Sequence, residues 1–258
     1  MQKKQNSGVT IGFRRLQLII LMIFLWSGQV LNGQYDKEEI SFFASDSLLV
    51  TADHYFTSDT LPYIVMIHEQ GSSRGEFSSI IDRFQKMNFN AISADVRNGG
   101  NTNFVANKTA RRSRTGGYDR GAENIEADIR AAVNEAWNHS EKPVILLGAG
   151  ANGSLALKAA KEMEQVKAVI ALSPGEYFRP SISIEDTISG IDKPVLITST
   201  SLEYPYMEQI ASGIDESILT IFAPENSEGA RGTRALRPEN PSNGEYWLTL
   251  LLFFKDLQ

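Results

Sequence analysis

The chain has 258 residues, 42% of them hydrophobic and 22% charged, a composition that supports one sizeable core in one domain. A formal net charge of -6 and a pI near 5.2 argue against nucleic acid as a main partner, because phosphate binding needs an excess of Lys and Arg. With no cysteine in the chain, disulfides, thiolate nucleophiles and cysteine-ligated zinc are excluded.

Residues 1–33 read as a secretory signal peptide. Lys3, Lys4, Arg14 and Arg15 precede an apolar run at 18–26, and small and polar residues at 27–33 follow it. The run is shorter than the roughly 20 residues a spanning helix needs, so cleavage near Gly33 and export to the periplasm or beyond are expected. Membrane contact is then confined to the signal segment, and residues 34–258 form a single domain.

Between 39 and 56 the pattern alternates twice, in EISFFAS and LLVTADHYF, which predicts two short antiparallel edge strands. A strand at 63–68 ends in the polar cluster HEQGSSRGE, and a helix follows at 77–87 with Phe77, Ile80, Ile81 and Phe84 on one face. The strand at 90–95 opens into a long polar loop over 96–120, and a helix covers 122–137. The segment 142–157, KPVILLGAGANGSLAL, is a buried strand, a glycine-rich turn and the start of a helix. A strand at 166–172, a loop or short cap at 179–192, strands at 194–198 and 217–222, and a closing helix at 246–254 complete the chain. This alternation predicts an α/β fold with a mostly parallel central sheet and helices on both faces.

Segment 142–157 has the spacing of a nucleophile elbow, G-x-S-x-G, in which glycines let the backbone turn tightly and expose a serine over a helix N-terminus. Gly148 fills the first glycine position, Gly150 stands where the serine belongs, and Asn152 and Gly153 close the turn. Dinucleotide-binding loops and plain strand–helix crossovers share this outline, and the segment alone leaves them open.

Six blocks in order narrow the choice: HEQGSSRGEF at 68–77, DVRNGG at 95–100 followed by NKTARR at 107–112, GAGANG at 148–153, LSPGEYF at 172–178, PVLITSTSLE at 194–203 and ARGTRAL at 230–236. In this order they resemble the α/β-hydrolase fold, and within it the dienelactone-hydrolase-like branch, from about residue 62 to 254. The resemblance implies a triad of nucleophile, acid and histidine at Gly150, Glu203 and Arg231, and an oxyanion-like ligand cleft bordered by Glu69, Gln70 and Ala151. Two of the three triad positions are replaced. Glycine has no group to attack with, and a guanidinium stays protonated and is no general base. The only histidines, His54, His68 and His139, all precede the elbow, so no register restores the missing base.

These residues point to a binding protein: a pseudo-hydrolase that holds a small ester-like ligand, or an unknown protein partner, without serine hydrolysis. The alternative is an active carboxylic-ester or lactone hydrolase with a relocated nucleophile at Ser72, Ser73 or Ser173. Glu69, Glu76, Glu176 and Glu203 are expected to pair with Arg74, Arg97 or Arg231, and a Glu203–Arg231 bridge would put an ion pair in place of the histidine–acid pair. Ser154 is expected to bond the backbone and His68 to shape its loop. Lys108, Arg111, Arg112 and Arg114 read as a solvated surface run. No metal-ligand or phosphate-loop spacing is present, and no metal or cofactor is expected.

Overall fold

Residues 36–257 are described by a computed structural model, and the predicted signal segment lies outside them. Every residue of β3 (Tyr63–Ile67), β4 (Asn90–Ala94), β7 (Val144–Ala149) and β9 (Val195–Thr198) is buried. That is the signature of parallel strands covered on both faces. With β1 (Asp36–Phe43), β2 (Leu49–Phe56), β8 (Val166–Leu172) and β10 (Leu219–Phe222) they form one eight-stranded sheet ordered β1-β2-β4-β3-β7-β8-β9-β10. The β1–β2 and β2–β4 pairs are antiparallel and all the others parallel.

Alternate residues of these strands enter two separate cores. Val65, Ile67, Leu146 and Val169 pack under α3 (Ala122–Ser140) and α4 (Gly150–Glu162). Ile64, Met66, Leu147 and Ile170 pack under α1 (Ile81–Lys86) and α7 (Asn243–Asp256). The period-two alternation thus divides the sheet between two helical layers.

Several local expectations are corrected. Of the two predicted edge strands only β1 lies at the edge, because β2 also pairs with β4. The helix expected over 77–87 is shorter, since α1 begins at Ile81 after a separate 3-10 turn, Arg74–Phe77, in which Gly75 has no room for a side chain against Thr102 and Val105. The long loop at 96–120 contains a two-stranded ribbon, β5 (Asn101–Thr102) and β6 (Val105–Ala106), and α2 (Lys108–Gly116). Asn107 caps α2 by accepting the Ala110 N–H at 2.7 Å, and Gly117 ends it in the left-handed region. The basic run is therefore helical. Lys108 pairs with Glu39, and Arg112 donates to Leu49 O and Thr51 Oγ1, fastening α2 to β1 and β2. Short helices also occupy α5 (Ile184–Ile188) and α6 (Tyr204–Ile210).

The expected partners of two arginines are replaced as well. Arg74 binds Asp53, Asp95 and Glu39, and fully buried Arg97 binds Asp128 and Asp46.

At the start of β3, Tyr63 meets His54 Nε2 at 2.7 Å, and the His54 ring stacks on His139 with centroids 4.6 Å apart. Burial, with the neighbouring His139, lowers the His54 pKa from 6.5 to about 4. The unfolded chain therefore binds this proton more readily, so stability present above pH 6.5 is lost as the pH falls toward 4. Chemical denaturation at pH 7 and pH 4.5 should show the native protein losing about 1–2 kcal/mol more than His54→Gln, allowing for solvent screening. Equal losses would remove His54 from the account.

Candidate functional site

At the C-terminal edge of the sheet, β7 passes into α4 with no intervening loop. This turn requires its glycines. A Cβ on Gly148 would lie 2.8 Å from Gly153 Cα and from Ala156 Cβ, so only bare backbone lets strand and helix cross so closely. Gly150 has φ +55°, the left-handed conformation in which an elbow holds its nucleophile. The tight, left-handed strand–helix turn expected of an elbow is present, with glycine at position 150.

Glu69 fills the vacated space. A Cβ on Gly150 would come within 2.7 Å of Glu69 Cγ and Oε1, and one on Gly232 within 3.2 Å of Oε2. Burial, and then the charge of Glu76, raise the Glu69 carboxyl above the usual carboxylate range. Its backbone is held by Glu76, whose Oε2 accepts the Glu69 N–H at 2.9 Å, and the other Glu76 oxygen takes the Thr233 hydroxyl. Glu69 itself has no ion-pair partner among the described residues. The amides of Gln70, which follows Glu69, and Ala151, which follows Gly150, have no protein acceptor among the described residues. Two free N–H groups beside an elbow are the donors that an oxyanion or carbonyl oxygen uses.

Glu203 and Arg231, the expected acid and histidine positions, meet as an ion pair. Arg231 Nε lies 2.5 Å from Glu203 Oε1, and an Arg231 amino group donates to Tyr177 Oη at 2.6 Å. Glu203 Oε2 accepts from Ser173 Oγ and from Thr200 N, each at 3.2 Å. Ser173 in turn accepts the Gly232 N–H at 3.1 Å, so one hydroxyl joins the acid loop to the segment that carries Arg231.

The candidate replacement nucleophiles are otherwise engaged. Ser173 is 1% exposed, and its hydroxyl is spent on Glu203 and Gly232. Ser72 Oγ pairs with Thr102 Oγ1 at 2.7 Å, and Ser73 Oγ donates to Val105 O at 2.8 Å. Ser154 bonds both the N–H and the carbonyl of Gly175 at 2.8 Å. Buried His68 lies beside the cleft but donates Nδ1–H to Glu69 O at 2.7 Å, while Nε2 accepts the Val96 N–H at 3.0 Å. These partners assign the tautomer and leave neither nitrogen for proton transfer. Burial lowers its pKa further.

Some of the framework was missed in the sequence. Asn152 Nδ2 donates to His68 O at 2.7 Å and Asn98 Nδ2 to Asn152 Oδ1 at 2.7 Å, tying the Glu69 loop to α4. The sequence signal was an asparagine, Asn152, set among the small residues of the elbow turn. Glu176, expected to pair with Arg74, Arg97 or Arg231, instead caps α5 through the Ile184 and Glu185 amides and pairs with Arg179. Three open grooves of 620, 650 and 770 Å³ lie elsewhere, and none is lined by Gly150, Glu203 or Arg231.

Among solved structures, a putative dienelactone hydrolase of Klebsiella pneumoniae matches at 15% identity, covering 86% of this chain and 98% of its own, with a TM-score of 0.66. A Pyrococcus furiosus esterase matches at 14% identity over 86% and 93%, TM-score 0.65. A dienelactone hydrolase of Anabaena variabilis matches at 16% over 86% and 98%, TM-score 0.61. At these identities the likeness speaks for the fold. Comparison with curated protein sequences finds no match. Sequence evidence for the family comes from the dienelactone hydrolase family, which matches residues 49–219, from β2 to the first residue of β10. Sheet order, elbow and sequence match agree, and the chain belongs to the dienelactone hydrolase family.

Proposed function

We propose that this family member binds a small ester-like ligand at the elbow without serine hydrolysis, and that residues 1–33 direct its export before cleavage near Gly33. The observation that carries the reading is the Glu69 side chain standing where a nucleophile at position 150 would project. The Arg231–Glu203 pair supports it, since the acid that would orient a histidine is neutralised by a cation that cannot accept a proton. The ligand's carbonyl oxygen accepts from the Gln70 and Ala151 amides, and the Glu69 carboxyl, when protonated, donates to a second ligand oxygen.

The exported form should resist labelling by a fluorophosphonate and hydrolyse an activated ester no faster than buffer. A panel of esters and lactones should contain members that raise its melting temperature by about 5–10 °C near a hundredfold excess over Kd. Labelling that disappears in Ser173→Ala, or in Ser72→Ala or Ser73→Ala, would replace this reading with that of an active hydrolase. A protein that resists both probe and ligands but co-purifies with another protein would replace it with partner binding.

A further inference from the structure

A second feature lies at the opposite edge of the sheet from the elbow. Leu61 and Pro62 before β3, Asn88 and Phe89 before β4, and Lys167 near the start of β8 form one side of a groove of about 650 Å³, and Leu251, Phe254 and Leu257 at the end of α7 form the other. Three lysines, Lys86, Lys167 and Lys255, belong to its lining and no carboxylate does, although the whole chain carries a net charge of -6. Beside it the outer face of α7 exposes Leu248, Leu251 and Leu252 at 57%, 50% and 52%. At i, i+3, i+4 and i+7 these leucines and Lys255 make one stripe, apolar and ending in a cation.

We propose that this groove and the leucine stripe rest on an acidic phospholipid bilayer surface. Leucines at the level of the acyl boundary with lysines at the phosphates is the arrangement by which amphipathic faces bind anionic membranes. Charge decides among the occupants. A second copy facing itself across a two-fold axis would set three lysines against three. The chain's own apolar run at 18–26 brings Lys3, Lys4, Arg14 and Arg15 with it, which the same rim repels.

The test uses residues 36–258, since the leader would itself partition into lipid. Among the described residues both cores are built from positions between Phe42 and Phe254, all of which the form left by cleavage near Gly33 would keep. Sedimentation is read with phosphatidylcholine vesicles and with vesicles in which about one-third of the lipid is phosphatidylglycerol. Binding to the acidic vesicles alone is expected, weakened about 30-fold by Lys86→Ala with Lys255→Ala. Leu251→Ser with Leu252→Ser should abolish it. All four side chains are exposed, so thermal melting of the variants should match the parent. Equal binding to the two lipids, no binding, or variants that bind like the parent would overturn the proposal. So would a dimer in the absence of lipid that the leucine substitutions dissolve, because the face would then belong to a second copy.

Discussion

Returning serine to position 150 and histidine to position 231 is expected to restore ester hydrolysis only when Glu69 is shortened as well. The backbone at 150 already has φ +55°, so a serine there accepts the strain an elbow normally carries, on the order of 1–2 kcal/mol. Its Cβ, however, would lie 2.7 Å from Glu69 Cγ and Oε1, well inside contact distance. The double variant Gly150→Ser, Arg231→His should therefore fold with the serine crowded and show little activity. Adding Glu69→Ala clears the space and leaves the Gln70 and Ala151 amides in place. A histidine at 231 takes over the Glu203 oxygen that Arg231 now holds at 2.5 Å. The triple variant should gain fluorophosphonate labelling and hydrolyse an activated ester on the order of 10²–10⁴-fold faster than the native protein. A folded but inert triple variant would mean that position 150 or 203 is misassigned. An equally active double variant would show that Glu69 is not the obstacle.

Arg97→Met is expected to be the most damaging substitution for stability, at about 3–5 kcal/mol near neutral pH. Arg97 and Asp128 are both 0% exposed and meet at 2.7 Å, with Asp46 completing the contact at 2.6 Å. Breaking the pair leaves a carboxylate in the interior with no countercharge. Burial already raises the Asp128 carboxyl against the pull of Arg97. Without Arg97 it rises further, so the folded state holds its proton more tightly than the unfolded chain. The variant is then least destabilised below the unfolded pKa near 4 and loses stability as the pH climbs through the raised folded value. Urea denaturation between pH 4 and pH 7.5 reads this slope. Arg97→Met with Asp128→Leu should recover most of the loss and flatten the profile. A variant as stable as the native protein at pH 7 would show that the pair contributes specificity rather than stability.

Much of the fold was legible in the residues because its signals are local. The strand Val166–Leu172 was read with the same bounds, and the elbow from glycines at 148, 150 and 153, whose backbone demands depend on their nearest neighbours. The polar stretch 96–120 misled for an equally physical reason. Its helix α2 has three buried residues, Thr109, Ala110 and Ser113, none large and apolar, so no hydrophobic period announces it. What stabilises it is a cap and a set of contacts to β1 and β2 that no window along the chain contains.

The candidate site divides along the same line. Residue identity and order alone put Gly150 and Arg231 where the family resemblance expects a nucleophile and a histidine, and show that no histidine follows Gly150. It takes the folded chain to bring Glu69, 81 positions before Gly150, against the Gly150 turn, to spend the Arg231 charge on Glu203, and to link the Glu203 loop to Gly232 through Ser173. Those contacts join segments brought to one sheet edge by the crossover order of the strands, and close packing, which no single segment encodes, sets which side chain fills the space a glycine leaves.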